Sequence, residues 1–485
     1  MCGIFGVISS DLVDLDDLQS IAKLSQQRGK DSSGLIQLKD SSYSIYRYDG
    51  SIVNLIKKVD LTKSKIILGH SRLVTNGHSD NQPIIKNDTV ILHNGIIVNV
   101  DPLWEETSIT REQEVDTEII AALVTDHLDR GHSVDDIPSL ILDKCKGVVA
   151  TAILLPKLGK LLLFSNNGSL YIGKKGDSTI FSSEIYPLNT IGCEHIEQVK
   201  NNYKLIEIEK NLKDIQIGEF QSKRLDLVPE LQFSGEEERL LKYDSHDLTR
   251  CTKCILPETM PFIYFDEKGV CNYCNNYQLR NVPKSKDILF KLIEEYRRKE
   301  GNECIVPFSG GRDSCYGLHL IVKELGLKAL AYTYDWGMVT DLGRRNISRM
   351  CSQLEVENII VAADITKKRE YIRKNITAWL KSPHLGMISI FTAGDKHFFR
   401  HLETIKKQTG IGLNLWGVNP LEVTHFKAGF LGIPPDFEEE KVYSNGFMNQ
   451  FRYQMLRLKA MIQSPGYFNN SMWDTLSGEY YRSVL

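Results

Sequence analysis

Glu303-Cys304-Ile305-Val306-Pro307-Phe308-Ser309-Gly310-Gly311-Arg312-Asp313-Ser314 decides how the second half of this chain folds. Cys304 to Phe308 is a strand-length apolar run. A glycine pair follows, then a helical pattern with apolar Tyr316, Leu318, Ile321 and Leu325. A strand, a glycine turn and a helix in that order point main-chain N–H groups and a helix N-terminus at an anion. The spacing is neither G-x-x-x-x-G-K-[ST] nor G-x-G-x-x-G. An ordinary βα turn with an Asp or Ser helix cap is the alternative reading.

On both sides of this stretch helices and strands alternate. Helices are expected at Ile288–Lys299, Asp313–Leu325, Arg344–Leu354 and Lys367–Leu380, and strands at Cys304–Phe308, Ala329–Tyr334 and Asn358–Ala362. That alternation predicts an α/β parallel-sheet domain with crossover helices over residues 285–485. Asp335 lies at a strand C-terminus, where open α/β sheets gather ligands, and a helix cap explains it as well. Trp416-Gly417-Val418-Asn419 follows another apolar run. His425 and Lys427 fit either a nucleotide site or a solvated face.

Upstream, Cys251-Thr-Lys-Cys254 and Cys271-Asn-Tyr-Cys274 form C-x₂-C-x₁₆-C-x₂-C. This is the spacing of a tetrahedral Cys₄ zinc ribbon, with two tight knuckles joined by a hairpin near Asp266–Gly269. Free thiols, disulfides and an iron–sulfur cluster are the alternatives. The knuckle domain is expected over 248–282. A charged stretch around Glu236–Asp247 reads as a linker, 226–247, or a solvated helix.

Residues 2–225 carry short β-type runs: Cys2–Ile8, Ile66–His70, Val90–His93, Val148–Leu155, Lys160–Phe164 and Tyr203–Ile208. Helical patterns interrupt them at Leu15–Arg28 and Asp116–Asp129, which predicts an α+β domain. Cys2 stands behind Met1 and before Gly3. Removal of Met1, favoured by the small residue that follows it, would leave an amine (pKa near 8) beside a thiol (near 8.5), nucleophile and base in one residue. Alone, Cys2 also reads as a small buried residue opening a strand.

The whole chain has 485 residues, 42% apolar and 25% charged, with a formal net charge of −3. That is ordinary for a globular protein of about three domains at ~150 residues each. Near-neutral charge gives no reason to expect nucleic acid or an anionic membrane as partner. No apolar run approaches the ~18–20 residues of a membrane span, and no signal-peptide pattern opens the chain, so a cytoplasmic location is expected. Ten cysteines in such a chain read as thiols or metal ligands before disulfides.

The N-terminal motifs resemble a known family. Cys2-Gly3-Ile4-Phe5-Gly6, Arg28-Gly29-Lys30-Asp31-Ser32-Ser33-Gly34, Gly69-His70-Ser71-Arg72-Leu73-Val74-Thr75-Asn76-Gly77, His93-Asn94-Gly95, Val115-Asp116-Thr117-Glu118 and Phe181-Ser182-Ser183-Glu184 stand in the order of a class II glutamine amidotransferase (glutaminase) domain. The resemblance implies an αββα sandwich in which Cys2 attacks the glutamine side-chain amide. It makes Asn94 and Gly95 the oxyanion donors and Arg72 the clamp on the substrate α-carboxylate. Asp116 becomes the acceptor for the α-amine, with Thr75 and Asn76 beside it. Taken singly, Arg72 also reads as a surface ion pair, Asp116 as a helix N-cap, and Asn94-Gly95 as a hairpin turn.

The loop Ser309–Ser314 resembles the S-G-G-x-D-S pyrophosphate loop of ATP pyrophosphatases related to asparagine synthetase. That likeness implies phosphate binding by Ser309, Gly310, Gly311, Arg312 and Ser314, with Asp313 on Mg²⁺ and Asp335 as a further nucleotide-site residue. The cysteine motif followed by this loop is similar to the N-acetyl sugar amidotransferases of surface-polysaccharide and nonulosonic acid pathways, which turn an acetamido into an acetamidino group. The expected enzyme therefore hydrolyses glutamine, adenylates an acceptor with ATP and releases AMP and pyrophosphate. Zn²⁺ is structural and Mg²⁺ accompanies ATP. Expected partners are glutamine, ATP and a free or nucleotide-linked N-acetyl sugar; a homo-oligomer is allowed. Asparagine-synthetase-like amidation of a carboxylate, a tRNA-modifying adenylating enzyme and a non-catalytic scaffold are the competing readings.

Overall fold

The computed structural model describes residues 2–75, 80–218, 247–278, 284–391, 395–418, 429–438 and 447–484. The chain forms two compact units. The first joins Met1–Val228, Leu292–Thr366 and His401–Val418; the second joins Pro229–Lys291, Lys367–Arg400 and Asn419–Leu485. The stretch expected as one domain from 285 to 485 therefore contributes to both. The linker expected at 226–247 lies outside the described residues save for Asp247.

The first unit opens with β1 (Gly3–Ile8), β2 (Ser32–Lys39), β3 (Ser42–Tyr48), β4 (Ser64–Arg72), β5 (Ile84–Lys86), β6 (Thr89–Ile97), β7 (Gly147–Leu155), β8 (Lys160–Ser165), β9 (Tyr171–Lys175), β10 (Ser178–Ser182), β11 (Glu194–Gln198), β12 (Tyr203–Glu207) and β13 (Gln216–Ile217). One sheet runs β11-β9-β10-β1-β4-β2-β3-β13 and the other β12-β8-β7-β6-β5. Strand alternation divides each sheet into two faces. In β7, Ala150, Ala152 and Leu154 join Ile4, Ile36 and Leu68 in a core between the sheets. Val149, Ile153 and Leu155 point the other way, toward Ile119 and Leu123 of helix Thr117–Asp129. Helix Leu15–Ser25 covers Phe5, Val7 and Leu35 on the outer face of the first sheet. The layers are helix, sheet, sheet, helix. Because both faces of the central strands are covered, they read as continuous apolar runs.

The same unit holds β14 (Cys304–Pro307), β15 (Ala329–Asp335), β16 (Glu357–Ala362) and β17 (Leu413–Asn414), all parallel, in the order β16-β15-β14-β17. The chain moves from β14 to one side through β15 and β16, then returns to the other side for β17. The strand order thus reverses at β14, the switch point beyond whose C-terminal end open α/β sheets place ligands. Leu73, Ile96 and Val148 of the sandwich share a buried cluster with Phe308, Ile347 and Cys351 of this sheet and its helix Asp341–Gln353. Burying each such aliphatic side chain contributes roughly 1.5–3 kcal/mol.

The second unit contains the cysteine knuckles, most of helix Ile365–Lys381, and helices Phe447–Gln463 and Asn470–Val484. Ala378, Met387, Ile390, Met461 and Tyr467 form its buried centre. No helix among the described residues is long and apolar enough to cross a membrane.

Candidate active site

The register of two strands assembles the first site. In the β1–β4 ladder Gly3 faces Ser71 and Ile4 faces His70, so one step further sets Cys2 opposite Arg72. Ile4 points between the sheets, hence Cys2 does too. Across that space β6 presents Val90 and Leu92, and by the same alternation Asn94. Cys2, Arg72 and Asn94 are all buried. The Cys2 nitrogen donates to Asn94 Oδ1 at 3.0 Å, and Cys2 Sγ lies 3.9 Å from the Leu73 carbonyl. Asn94 and Gly95 sit inside β6, paired with Ala150 and Val149 of β7. They are strand residues, not a hairpin turn.

Asp116 is equally far from a simple cap. It precedes helix Thr117–Asp129 but makes no side-chain capping bond there. Its Oδ2 accepts instead from the Ile97 nitrogen at 2.8 Å, at the end of the strand that carries Asn94. Arg72 is no surface ion pair: its guanidinium is buried and donates to the Asp80 carbonyl. Thr75 follows the end of β4, half-buried, and Asn76 lies outside the described residues.

Burial raises the Cys2 thiol above its ordinary range, and the positive charge of Arg72 works against that rise. Burial likewise lowers the Arg72 guanidinium, opposed by Cys2 and by the Asp116, Asp80 and Asp31 carboxylates. Burial thus sets the Cys2 thiol among the Arg72 guanidinium and the Asp116, Asp80 and Asp31 carboxylates.

Two further segments hold these residues in place. The Asp31 nitrogen donates to the Arg72 carbonyl at 3.1 Å, and Asp31 Oδ2 accepts from the Val74 nitrogen at 2.9 Å. Ser183 Oγ accepts from the Ile4 nitrogen at 2.9 Å and from Asn94 Nδ2 at 3.5 Å. Between the two segments runs a buried ion pair, Arg28 Nε to Glu184 Oε1 at 2.5 Å. Asp31, Ser183 and Glu184 stand in the quoted motifs, though sequence reading gave them no separate role. His70 and His93 were also unassigned. Both are buried, and burial lowers both imidazoles. His93 touches Thr117 Oγ1 and the Val148 carbonyl, each at 3.3 Å.

At the C-terminal end of β14, Gly310 takes φ +77°, a conformation that favours glycine. Ser309 Oγ and Ser314 Oγ lie 3.1 Å apart, and Ser314 Oγ donates to the Gly311 carbonyl at 3.0 Å. Gly311, Arg312 and Asp313 are exposed at the N-terminus of helix Arg312–His319. Gly417 packs on this helix: a Cβ there would meet the Asp313 carbonyl at 2.8 Å. Asp335 is engaged by Arg344 Nε at 2.8 Å and by the Gly337 nitrogen at 2.9 Å, while Thr340 caps the helix that follows. Asn419, His425 and Lys427 lie outside the described residues.

In the second unit, the sulfurs of Cys251, Cys254, Cys271 and Cys274 lie within 4.8 Å of one another. The Cys251–Cys274 and Cys254–Cys271 separations are 3.9 and 3.6 Å. A tetrahedral ion with metal–sulfur bonds of about 2.3 Å needs sulfurs about 3.8 Å apart, so the four fit one ion. Cys251 Sγ also accepts from the nitrogens of Lys253, Cys254 and Cys271, which eases thiolate charge. The knuckles are joined by a turn in which the Gly269 nitrogen donates to the Asp266 carbonyl.

Comparison with known proteins bears on the first site. A family model described as a glutamine amidotransferase domain matches residues 70–190. Glutamine–fructose-6-phosphate aminotransferase (isomerizing) of Zymomonas mobilis is 32% identical over 186 residues, 36% of this chain and 30% of that protein. Its counterpart in Bartonella henselae is 30% identical over 197 residues, 39% of this chain and 32% of that one. The chain thus spans under a third of the length of these relatives. Among solved structures, glutamine phosphoribosylpyrophosphate amidotransferase from B. subtilis aligns at a TM-score of 0.36 and 22% identity, over 44% of this chain and 51% of that one. Residues 70–190, which hold Arg72, Asn94, Gly95 and Asp116, thus match a glutamine amidotransferase domain, and the buried Cys2 lies upstream of the matched stretch.

Proposed function

We propose that this protein is a glutamine-dependent, ATP-driven amidotransferase. The observation that carries the reading is the 3.0 Å bond between the Cys2 nitrogen and Asn94 Oδ1, inside the same compact unit as the Ser309–Ser314 loop. With Met1 removed, that nitrogen is a free amine beside the thiol.

The chain's own residues then divide the work. Arg72 and Asp116 hold the α-carboxylate and α-amine of glutamine, with Thr75 and Asn76 beside them. The Cys2 amine takes the thiol proton as sulfur attacks the side-chain carbonyl carbon. Negative charge gathers on the carbonyl oxygen, where Asn94 Nδ2 and the Gly95 N–H donate to it; each such donor is worth ~10²–10³ in rate. The C–N bond breaks, the amine returns its proton to the leaving nitrogen, and ammonia departs from a thioester that water hydrolyses to glutamate.

At the switch point of the parallel sheet, Ser309, Gly310, Gly311, Arg312 and Ser314 cradle the phosphates that leave as pyrophosphate. Asp313 would hold Mg²⁺, which supplies charge neutralisation there. The acceptor is an amide oxygen, that of the acetamido group of an N-acetyl sugar; its adenylation makes AMP the leaving group, and ammonia displaces it to give an acetamidino group. Zn²⁺ held by Cys251, Cys254, Cys271 and Cys274 is structural, since four thiolates leave no open position.

The test uses purified full-length protein with glutamine or ammonium, labelled ATP and N-acetyl sugars. Cys2→Ala should abolish glutamine-dependent product and spare ammonia-dependent product. Asp313→Ala should stop AMP release and leave glutamate release. Release of ADP, or glutamate release by Cys2→Ala at the parent rate, rejects the corresponding half of the proposal.

A further inference from the structure

In the β6–β7 ladder Ile96 faces Val148. A side chain from another part of the chain is inserted between them. The Val148 nitrogen donates to Ser348 Oγ at 2.7 Å, and Ser348 Oγ donates to the Ile96 carbonyl at 2.6 Å. One hydroxyl acts as acceptor and donor at once and bridges the two strands. Ser348 is fully buried. The neighbouring Gly147 leaves room for it: a Cβ there would meet Ser348 Oγ at 2.9 Å. The bridged carbonyl belongs to the residue directly after Gly95, and the next nitrogen along, that of Ile97, is the one bound by Asp116.

Ser348 comes from helix Asp341–Gln353, between β15 and β16 of the parallel sheet. Two preceding residues of that helix reach the phosphate loop and the chain just past β6. Asn346 Nδ2 donates to the Gly310 carbonyl of the phosphate loop at 3.2 Å, and Arg345 Nη1 donates to the Val98 carbonyl at 3.3 Å.

We infer that Ser348 is a positioning residue of the glutamine site, setting the strand segment that carries Asn94 and Gly95 from the helix that also holds the phosphate loop. The inference rests on the glutaminase reading. Without the hydroxyl, the Val148 nitrogen and Ile96 carbonyl either close on each other or stay unpaired. Closure shifts the Gly95 N–H relative to Cys2, and an unpaired rung loosens it. Misplacement by ~1 Å in such a site costs about 10²-fold in rate. The donors act on charge that exists only in the transition state, so the loss falls on kcat.

The experiment compares full-length parent, Ser348→Ala and Ser348→Cys for glutamate release from glutamine. Alkylation of Cys2 by iodoacetamide, which forms no oxyanion, is followed in parallel, and thermal melts confirm folding. Ser348→Ala is expected to lower kcat at least tenfold, with KM within threefold and alkylation within twofold of parent; Ser348→Cys falls in the same direction. A kcat within twofold of parent in both variants overturns the inference, as does alkylation slowed as much as kcat. If the parent itself releases no glutamate, the glutaminase reading fails instead.

Discussion

The nitrogen of Cys2 donates to Oδ1 of Asn94 at 3.0 Å across 92 positions of sequence. That bond settles the orientation of the Asn94 amide. Its oxygen serves the residue that carries the thiol, and its NH₂ faces Ser183 Oγ at 3.5 Å. The amide is held from both ends before substrate arrives, which is what a preorganised oxyanion donor requires.

Asn94→Asp keeps the acceptor oxygen and deletes the donor. It also adds negative charge where the proposed mechanism places the oxyanion. We expect kcat for glutamine hydrolysis to fall by ~10²–10³ or more, with KM changed little. Steady-state glutamate release across glutamine concentrations reads both constants. A loss confined to KM would assign Asn94 to substrate binding alone.

Arg28 and Glu184 form an ion pair with side-chain exposures of 1% and 6%. Arg28 Nη2 also donates to the Asn358 carbonyl of β16 at 3.3 Å, and Gln27 Nε2 to Glu184 Oε2 at 2.9 Å. Removing one partner strands the other charge away from water, at a cost of about 3–5 kcal/mol. Glu184→Ala should therefore unfold at markedly lower urea than parent, and Glu184→Gln, which keeps an acceptor, should lose less. A Glu184→Gln midpoint equal to that of the parent would mean the carboxylate charge does not matter there.

What could be read in advance follows from burial. β1, β4, β6, β7 and β8 are apolar on one or both faces, so their runs stand out in the sequence. The β2–β3 hairpin does not. Its second strand, Ser-Tyr-Ser-Ile-Tyr-Arg-Tyr, has no apolar run, and its turn places Asp40 and Ser41 at φ 50° and 53° without a glycine to announce it. Asn94-Gly95 carries a turn signal yet lies mid-strand, because β7 on one side and the sandwich core on the other outweigh local preference. Ser348 carries no local signal at all. It is one small polar residue on a helix, and its role arises only where two sheets meet.

The four knuckle sulfurs make a prediction that needs no substrate. The fresh protein should contain about one zinc per chain. Cys254→Ser or Cys271→Ser should lose the metal and lower the melting temperature, because metal binding and folding of such a knuckle are one equilibrium. Metal analysis with a thermal melt decides the matter. Zinc-free parent protein, or variants that melt with the parent, would exclude a structural zinc.

Glu357 gives the last test, through pH. It is fully buried at the start of β16, where Tyr171 Oη donates to its Oε2 at 2.7 Å and Asn302 Nδ2 at 3.2 Å. Burial raises its pKa from 4.5 to about 7; the Tyr171 bond, Arg28 and Asn302 oppose the rise, and Glu184 adds to it. The folded state therefore keeps a proton that the unfolded chain releases at lower pH. Stability from this group is complete below pH 4.5, declines as pH rises toward about 7, and is level above that. Between pH 5.5 and 8 the decline is about 2 kcal/mol, at about 1.4 kcal/mol per unit. Glu357→Gln mimics the protonated form and removes the titration. Urea midpoints at both pH values should show the parent losing ground to Glu357→Gln by about that amount at pH 8. Parallel pH profiles for the two proteins would mean that the carboxyl is already ionised at pH 5.5, and that Arg28 neutralises Glu357 as well as Glu184.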